Sequence, residues 1–206
     1  MTICKYYCIV ETPQGGDTVS RQKDLEKSVN PEKENVKLRR KIRMLERRIG
    51  ELEQLAYRDP LTGVYNFRMM EEALAKESAR SLREEGEFCV MVFDVDDLKI
   101  VNNTKGHNAG NTLLVTVAAT VQRLIREEDT FCRMGGDEFM LILPHMQVQA
   151  LTMLETRLKA ALALSGVRIS VGAASSTESV DVQQLVDLAD QRMYAEKAEH
   201  KAANPT

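Results

Sequence analysis

The chain is expected to fold as an α+β domain preceded by a coiled-coil helix, and a few features of the sequence carry that expectation. Apolar residues recur in heptad spacing over residues 35–56. A Gly135-Gly136 pair separates two short apolar runs, 130–134 and 139–143, as a tight hairpin would, because glycine adopts positive φ without steric cost. Around that hairpin, other apolar runs of strand length alternate with stretches of helical period. A hairpin mixed with helical crossovers predicts a sheet covered by helices.

A length of 206 residues suits one domain of ordinary size plus an extension, and 43% apolar residues are enough for a core. The net charge of −3 argues against a general nucleic-acid binder, which carries a basic surface. Cys4, Cys8, Cys89 and Cys132 show no paired metal spacing, and Cys89 and Cys132 lie inside strand-like runs, as buried reduced thiols do. No apolar run approaches the ~20 residues that span a bilayer. Residues 1–10 are too short and polar for a signal peptide, so a cytoplasmic location is expected.

Taken in order, residues 1–30 contain Pro13, Gly15 and Gly16 without periodicity and read as a loose leader. Residues 31–57 form the coiled-coil segment. Asn35, Ile42, Ile49 and Ala56 fall at position a, with Leu38, Leu45 and Leu52 at d. Isoleucine at a with leucine at d favours a parallel pair, and a polar a residue fixes its register. The facing g and e′ residues, Glu34 with Arg39, Lys41 with Glu46 and Arg48 with Glu53, are opposite in charge. Pro60 stops this helix. Residues 58–206 then make up the main domain. They comprise a helix over 66–82 with Phe67, Met70, Leu74 and Ala75 available for burial, a central strand over 88–93, and a helix over 108–126. The hairpin follows, then a helix over 147–164, a strand over 167–174 and a helix over 182–198.

Acids close two of these strands. Asp94-Val95-Asp96-Asp97 follows the run 88–93, and Asp137-Glu138 follows the glycine pair. Carboxylates at the ends of neighbouring strands are how a chain builds an oxygen site for Mg²⁺. An EF-hand beginning at Asp94 would need glycine and glutamate where Lys99 and Lys105 stand, and the stretch 106–110 lacks the Gly-Lys-Ser/Thr ending of a P-loop.

The segment Arg133-Met134-Gly135-Gly136-Asp137-Glu138-Phe139 resembles the signature of the GGDEF family, the diguanylate cyclases. Asp59-Pro60-Leu61-Thr62-Gly63, the run 94–110 and the stretch from Ala189-Asp190 to Lys197 follow in the family's order, so the resemblance covers residues 57–201. It implies a palm-like sheet similar to nucleotidyl cyclases and polymerases. It also implies condensation of two GTP into cyclic di-GMP with release of two pyrophosphates, by a homodimer joined through residues 35–56. Mg²⁺, with Mn²⁺ as a substitute, would be held by Asp94, Asp137 and the Val95 carbonyl. Asp137, Glu138 and Lys99 would serve catalysis. Backbone amides of Asp97, Leu98 and Lys99, with Lys197 and Lys201, would hold phosphates, and Asn102 and Asn111 the base. Arg126 and Asp129 match the family's RxxD site for inhibitory product.

Three places in the chain depart from the family pattern. Asn111 replaces the usual aspartate, His200-Lys201-Ala202 replaces Gly-Arg-Asn, and Phe67 stands where arginine is common. Guanine offers N–H donors at N1 and N2. A carboxylate accepts both, whereas an amide presents one acceptor and one donor, which points to altered purine selectivity. The rival readings are a non-catalytic cyclic di-GMP receptor acting through Arg126 and Asp129, and a dimerising scaffold.

Overall fold

A computed structural model describes residues 31–84, 86–179 and 181–203. The leader and its Cys4 and Cys8 lie outside these residues. The chain divides into two compact units, Met1–Gly50 and Glu51–Thr206.

Helix α1 is Pro31–Tyr57. Proline suits its first position, where an N–H would have no helical partner. None of its residues is buried, and Leu38, Ile42, Leu45, Ile49 and Leu52 are each about half exposed.

The second unit is an antiparallel sheet between two helical layers. Its elements are α2 (Phe67–Glu84), β1 (Phe88–Val95), α3 (Leu98–Lys105), α4 (His107–Gln122), β2 (Thr130–Gly135), β3 (Glu138–Pro144), α5 (Val148–Ala163), β4 (Ile169–Ser175) and α6 (Val182–Ala203). The strand order is β2-β3-β1-β4. All of β1 is buried, because it is central and both its faces are covered; hence the unbroken apolar run. Cys89, Met91, Phe93 and Val95 pack with residues of α4 and α5 in one core, where Phe93, Phe131 and Phe139 stack with centroids 5.3–6.1 Å apart. Phe88, Val90 and Val92 pack with α2 and α6 in a second core. Burial pushes the Cys89 thiol up to about 11 and that of Cys132 up to about 12.

Both edges of the sheet are engaged. Along β2, the Tyr65 amide donates to the Phe131 carbonyl at 3.0 Å, and the Arg133 amide donates to Tyr65 at 2.8 Å. Along β4, the Val171 amide donates to Glu196 and the Ala173 carbonyl accepts from Arg192, both at 2.6 Å. Helix α6 lies so close to β4 that a Cβ on Gly172 would overlap the backbone of Ala189 and Met193.

The structure differs from the sequence expectation in places. Helix α3 is additional. The helix expected over 108–126 ends at Gln122, and Leu124 and Ile125 pack on the core from the following turn. The inward face of α2 is Met70, Ala73 and Leu74, while Phe67 remains 49% exposed and Ala75 is exposed. The strand expected over 167–174 is shifted to Ile169–Ser175, and α6 runs on to Ala203.

The motif at 59–63 is tied to the glycine hairpin by one arginine. Asp59 Oδ1 accepts from the Thr62 amide at 2.8 Å, the Thr62 hydroxyl at 2.6 Å and Arg133 Nη1 at 3.0 Å. Arg133 Nη2 also donates to the Gly136 carbonyl at 2.6 Å. Burial raises the Asp59 pKa, but the Thr62 and Arg133 hydrogen bonds outweigh it and leave the carboxyl below its ordinary value. A carboxyl depressed by folding contributes stability above its unfolded pKa, and that contribution is lost as pH falls through the folded value. Arg133→Ala is therefore expected to cost about 1.5–3 kcal/mol at neutral pH and to flatten the loss of stability below about pH 4, measured by urea unfolding across pH.

Candidate active site

The ends of three strands and two helices converge on a cleft of about 570 Å³. Strand β1 delivers Asp94 and Val95 to it, the turn after β1 delivers Asp96 and Asp97, and α3 delivers Leu98 and Lys99. The hairpin supplies Asp137 and the residue before β4 supplies Arg168, while α6 supplies Lys197, His200 and Lys201. The buried stripe of α6, Leu185, Ala189 and Met193, continues at helical spacing into Lys197 and His200, so the face that packs on the sheet becomes the cleft wall.

Strand register puts Asp94 opposite both Glu138 on β3 and Ser170 on β4. The hairpin turn, with Gly136 at φ 53, brings the Asp137 carbonyl within 3.1 Å of the Val95 amide, which donates to it. Asp94 is 2% exposed. Its Oδ2 lies 2.6 Å from Lys197 Nζ, and its Oδ1 is buried without a hydrogen-bond partner. Burial raises the Asp94 pKa above its ordinary value; the hydrogen bond from Lys197 opposes this and the charges of Asp137 and Glu138 reinforce it. Burial works against the Lys197 charge, yet Asp94, Asp137 and Asp96 outweigh it and raise that pKa as well. Among the described residues, no three His, Cys, Asp or Glu side chains converge as a metal cage. What the cleft presents is the carboxylates of Asp94 and Asp137 and the backbone at the end of β1.

A second layer supports the cleft. Asp96 accepts from the Ser170 hydroxyl at 2.7 Å on Oδ1 and lies 2.8 Å from His200 Nδ1 on Oδ2. Asp97 opens α3 from the left-handed region at φ 61, which aspartate tolerates better than most residues.

Other expected residues lie elsewhere. Glu138 lines a separate groove of about 680 Å³ between α2 and α6, beside Met70, Leu74, Val186 and Asp190. Asn102, on α3, faces Gly110 of α4, and its Oδ1 is buried without a partner; Asn111, one residue further, is exposed. Neither asparagine lines the cleft. Asp129 is 8% exposed and accepts from the Arg126 amide at 2.7 Å, while the Arg126 guanidinium pairs with Glu128 at 3.2 Å. Arg126 and Asp129 are thus joined through backbone, with the guanidinium directed to another acid. Arg168 and His200 were not predicted as cleft residues.

The model of the family described as diguanylate cyclase, GGDEF domain, matches residues 56–203. The chain belongs to the GGDEF family. It is 31% identical over 158 residues to diguanylate cyclase DgcP of Pseudomonas aeruginosa, covering 72% of this chain and 24% of that protein. It is 32% identical over 153 residues to diguanylate cyclase DgcS of Shewanella oneidensis, covering 72% of this chain and 52% of that one. This GGDEF chain therefore spans about half or less of the length of these curated relatives. Among solved structures, it superposes on the coiled coil and GGDEF domain of DgcB from Caulobacter crescentus, in complex with c-di-GMP, with a TM-score of 0.74 at 20% identity. That match covers 82% of this chain and 94% of the other, and it shows the shared fold. No described helix is long and apolar enough to cross a membrane.

Proposed function

We propose that this GGDEF domain is a diguanylate cyclase that condenses two GTP molecules into cyclic di-GMP. The observation that carries the reading is the buried, half-unpartnered Asp94 carboxylate facing Asp137 in a cleft walled by lysines. In the reaction, the 3′-hydroxyl of each nucleotide attacks the α-phosphorus of the other. Two new P–O bonds form, two Pα–O–Pβ bonds break, two pyrophosphates leave and the two hydroxyl protons are released.

The donor set fits Mg²⁺, which takes one or two carboxylates and completes its shell with water and phosphate. Asp94, Asp137 and the Val95 carbonyl would hold it, with Mn²⁺ as a substitute. When bound, the metal lowers the pKa of the attacking hydroxyl and offsets charge on the leaving group. The chain's own groups do the rest. Amides of Asp97, Leu98 and Lys99 at the start of α3 meet phosphate oxygens, as the positive end of a helix does. Lys99, Lys197 and Lys201 neutralise the triphosphate. Glu138, opposite Asp94 in the sheet, adds to the negative potential at Asp94 that would draw the cation. Each domain holds one nucleotide, so two copies must meet, and the α1 heptad serves that pairing. The inward-turned Asp129 favours catalysis over a receptor role through Arg126 and Asp129. The test is mass spectrometry of products after incubation with Mg²⁺ and GTP, with Asp137→Ala as control. A properly folded dimer that forms no cyclic di-GMP overturns the reading.

Base selection is proposed to rest on Asn102 and Asn111. Asn111 lies in the second turn of α4 and is solvent-exposed, free to be altered without disturbing the core. Asn111→Asp is expected to raise the preference for GTP over ATP about tenfold, because a mismatched donor costs on the order of 1–3 kcal/mol. Steady-state rates with each nucleotide measure it, and an unchanged ratio removes Asn111 as a selector.

A further inference from the structure

Lys201 stands where an arginine is typical of the family, and lysine lacks the fork that binds phosphate through two parallel hydrogen bonds. The structure brings a guanidinium to the same cleft from another element. Arg168, just before β4, lines the wall with Lys99, Lys197 and Lys201. Its Nη2 donates to Asp97 Oδ2 at 2.7 Å, its Nε lies 3.6 Å from Asp96 Oδ2, and its carbonyl accepts from the Asp96 amide at 3.0 Å. The head group is thereby held over the turn that opens α3. Its side chain is 47% exposed and that of Asp97 52%.

Charge explains why a guanidinium belongs there. The cleft is lined by Asp94, Asp96, Asp97 and Asp137 and by the cations Lys99, Arg168, Lys197 and Lys201. A triphosphate adds several negative charges, and Asp96 and Asp97 would repel them if left uncovered. The Arg168–Asp97 pair is exposed and contributes little in water, so the guanidinium can reach a multiply charged phosphate while its Nε stays beside Asp96 and keeps the acids covered.

We propose that Arg168 is a substrate-binding residue that grips the outer phosphates of the nucleotide, supplying the forked contact that Lys201 cannot. The inference rests on the cyclase reading for its natural ligand, but it applies to any polyphosphate in this cleft.

The test uses the full chain with Mg²⁺. Binding of mant-GTP and mant-GMP is followed by fluorescence anisotropy, and inorganic tripolyphosphate is the competitor. Arg168→Ala is expected to weaken mant-GTP and tripolyphosphate about tenfold while leaving mant-GMP unchanged, and to raise KM for GTP without a matching fall in kcat. Arg168→Lys should recover part of the loss. Equal weakening of mant-GMP and mant-GTP would mark a merely structural role and overturn the proposal. Asp97→Asn separates direct contact from masking of Asp97, since asparagine keeps the left-handed backbone. In the double variant Arg168→Ala/Asp97→Asn, binding that stays weak upholds direct contact, and recovery to the wild-type level overturns it. A wild-type chain that forms no cyclic di-GMP yet binds tripolyphosphate through Arg168 overturns the cyclase reading and upholds this one. A productive cyclase whose KM and tripolyphosphate affinity ignore Arg168→Ala does the reverse. A wild-type chain that forms no cyclic di-GMP and binds no tripolyphosphate overturns both.

Discussion

Asp94→Asn is expected to cut the rate of cyclic di-GMP formation at least roughly a thousandfold while leaving the protein folded. Asparagine matches aspartate in shape, so the core around β1 keeps its packing, but the cleft loses a carboxylate whose Oδ1 is buried and unpartnered. The effect on stability is the difference of two terms. Because the Asp94 pKa is raised by folding, its charge costs the folded state stability as pH rises through the folded value, and asparagine removes that cost. The raised pKa of Lys197 means that its charge is stabilising throughout the neutral range, and it then loses the partner 2.6 Å away. The terms oppose one another, so the melting temperature at pH 7 should move by only a few degrees for a loss or gain of about 1 kcal/mol. Stabilisation by Mg²⁺ in the presence of a non-hydrolysable GTP analogue, measured by thermal shift, should be present in the wild type and missing from the variant. A variant within tenfold of wild-type turnover would remove Asp94 from the metal set.

If α1 pairs two copies as proposed, placing glutamate at both Ile42 and Ile49 is expected to leave a monomer and to lower turnover about a thousandfold at micromolar protein. These residues are 52% and 55% exposed on a helix with no buried face, an arrangement that leaves an apolar stripe in water unless a second copy covers it. Four buried glutamates across a paired seam would prevent its closure. Linked domains meet at an effective concentration near millimolar, whereas free domains at micromolar concentration meet about a thousandfold less often. Binding of a single mant-GTP should persist, because all residues of the cleft lie within one compact unit, Glu51–Thr206. Sedimentation and turnover across a concentration series provide the check. Full activity from a proven monomer would show that catalysis needs no partner copy.

The sheet and its acids were legible in the sequence because their signals are local. β1 and β3 are unbroken apolar runs, the hairpin is marked by paired glycines, and Asp94 and Asp137 sit where those runs end. Helix α3 was not legible. Its eight residues include Ile100, Val101, Asn102, Asn103 and Thr104, all weak helix formers, and the turn at Asp97 and the packing of Leu98 against α4 are tertiary effects. The end of α4 was misread for a related reason: Leu124 and Ile125 continue the apolar stripe, but they reach the core from a turn that Asp129 closes. Arg168 and His200 have partners 71 and 104 residues away, Asp97 and Asp96, and no spacing rule along a chain reports such a meeting. Phe67, the bulkiest apolar residue of α2, lies in its first turn, ahead of the contacts made by Met70 and Leu74, so apolar character alone does not mark the buried face.

The engaged edges of the sheet bear on how copies of this protein find one another. Unsatisfied strand edges attract other strands in almost any register, and such contacts grow into aggregates. Here Tyr65 takes up donors and acceptors of β2, and Glu196 and Arg192 do the same for β4. Encounters between domains are thereby steered away from strand-to-strand annealing. If two clefts must meet, as the proposed cyclase reaction requires, every copy caught in an edge-to-edge contact is one that cannot present its cleft to a partner.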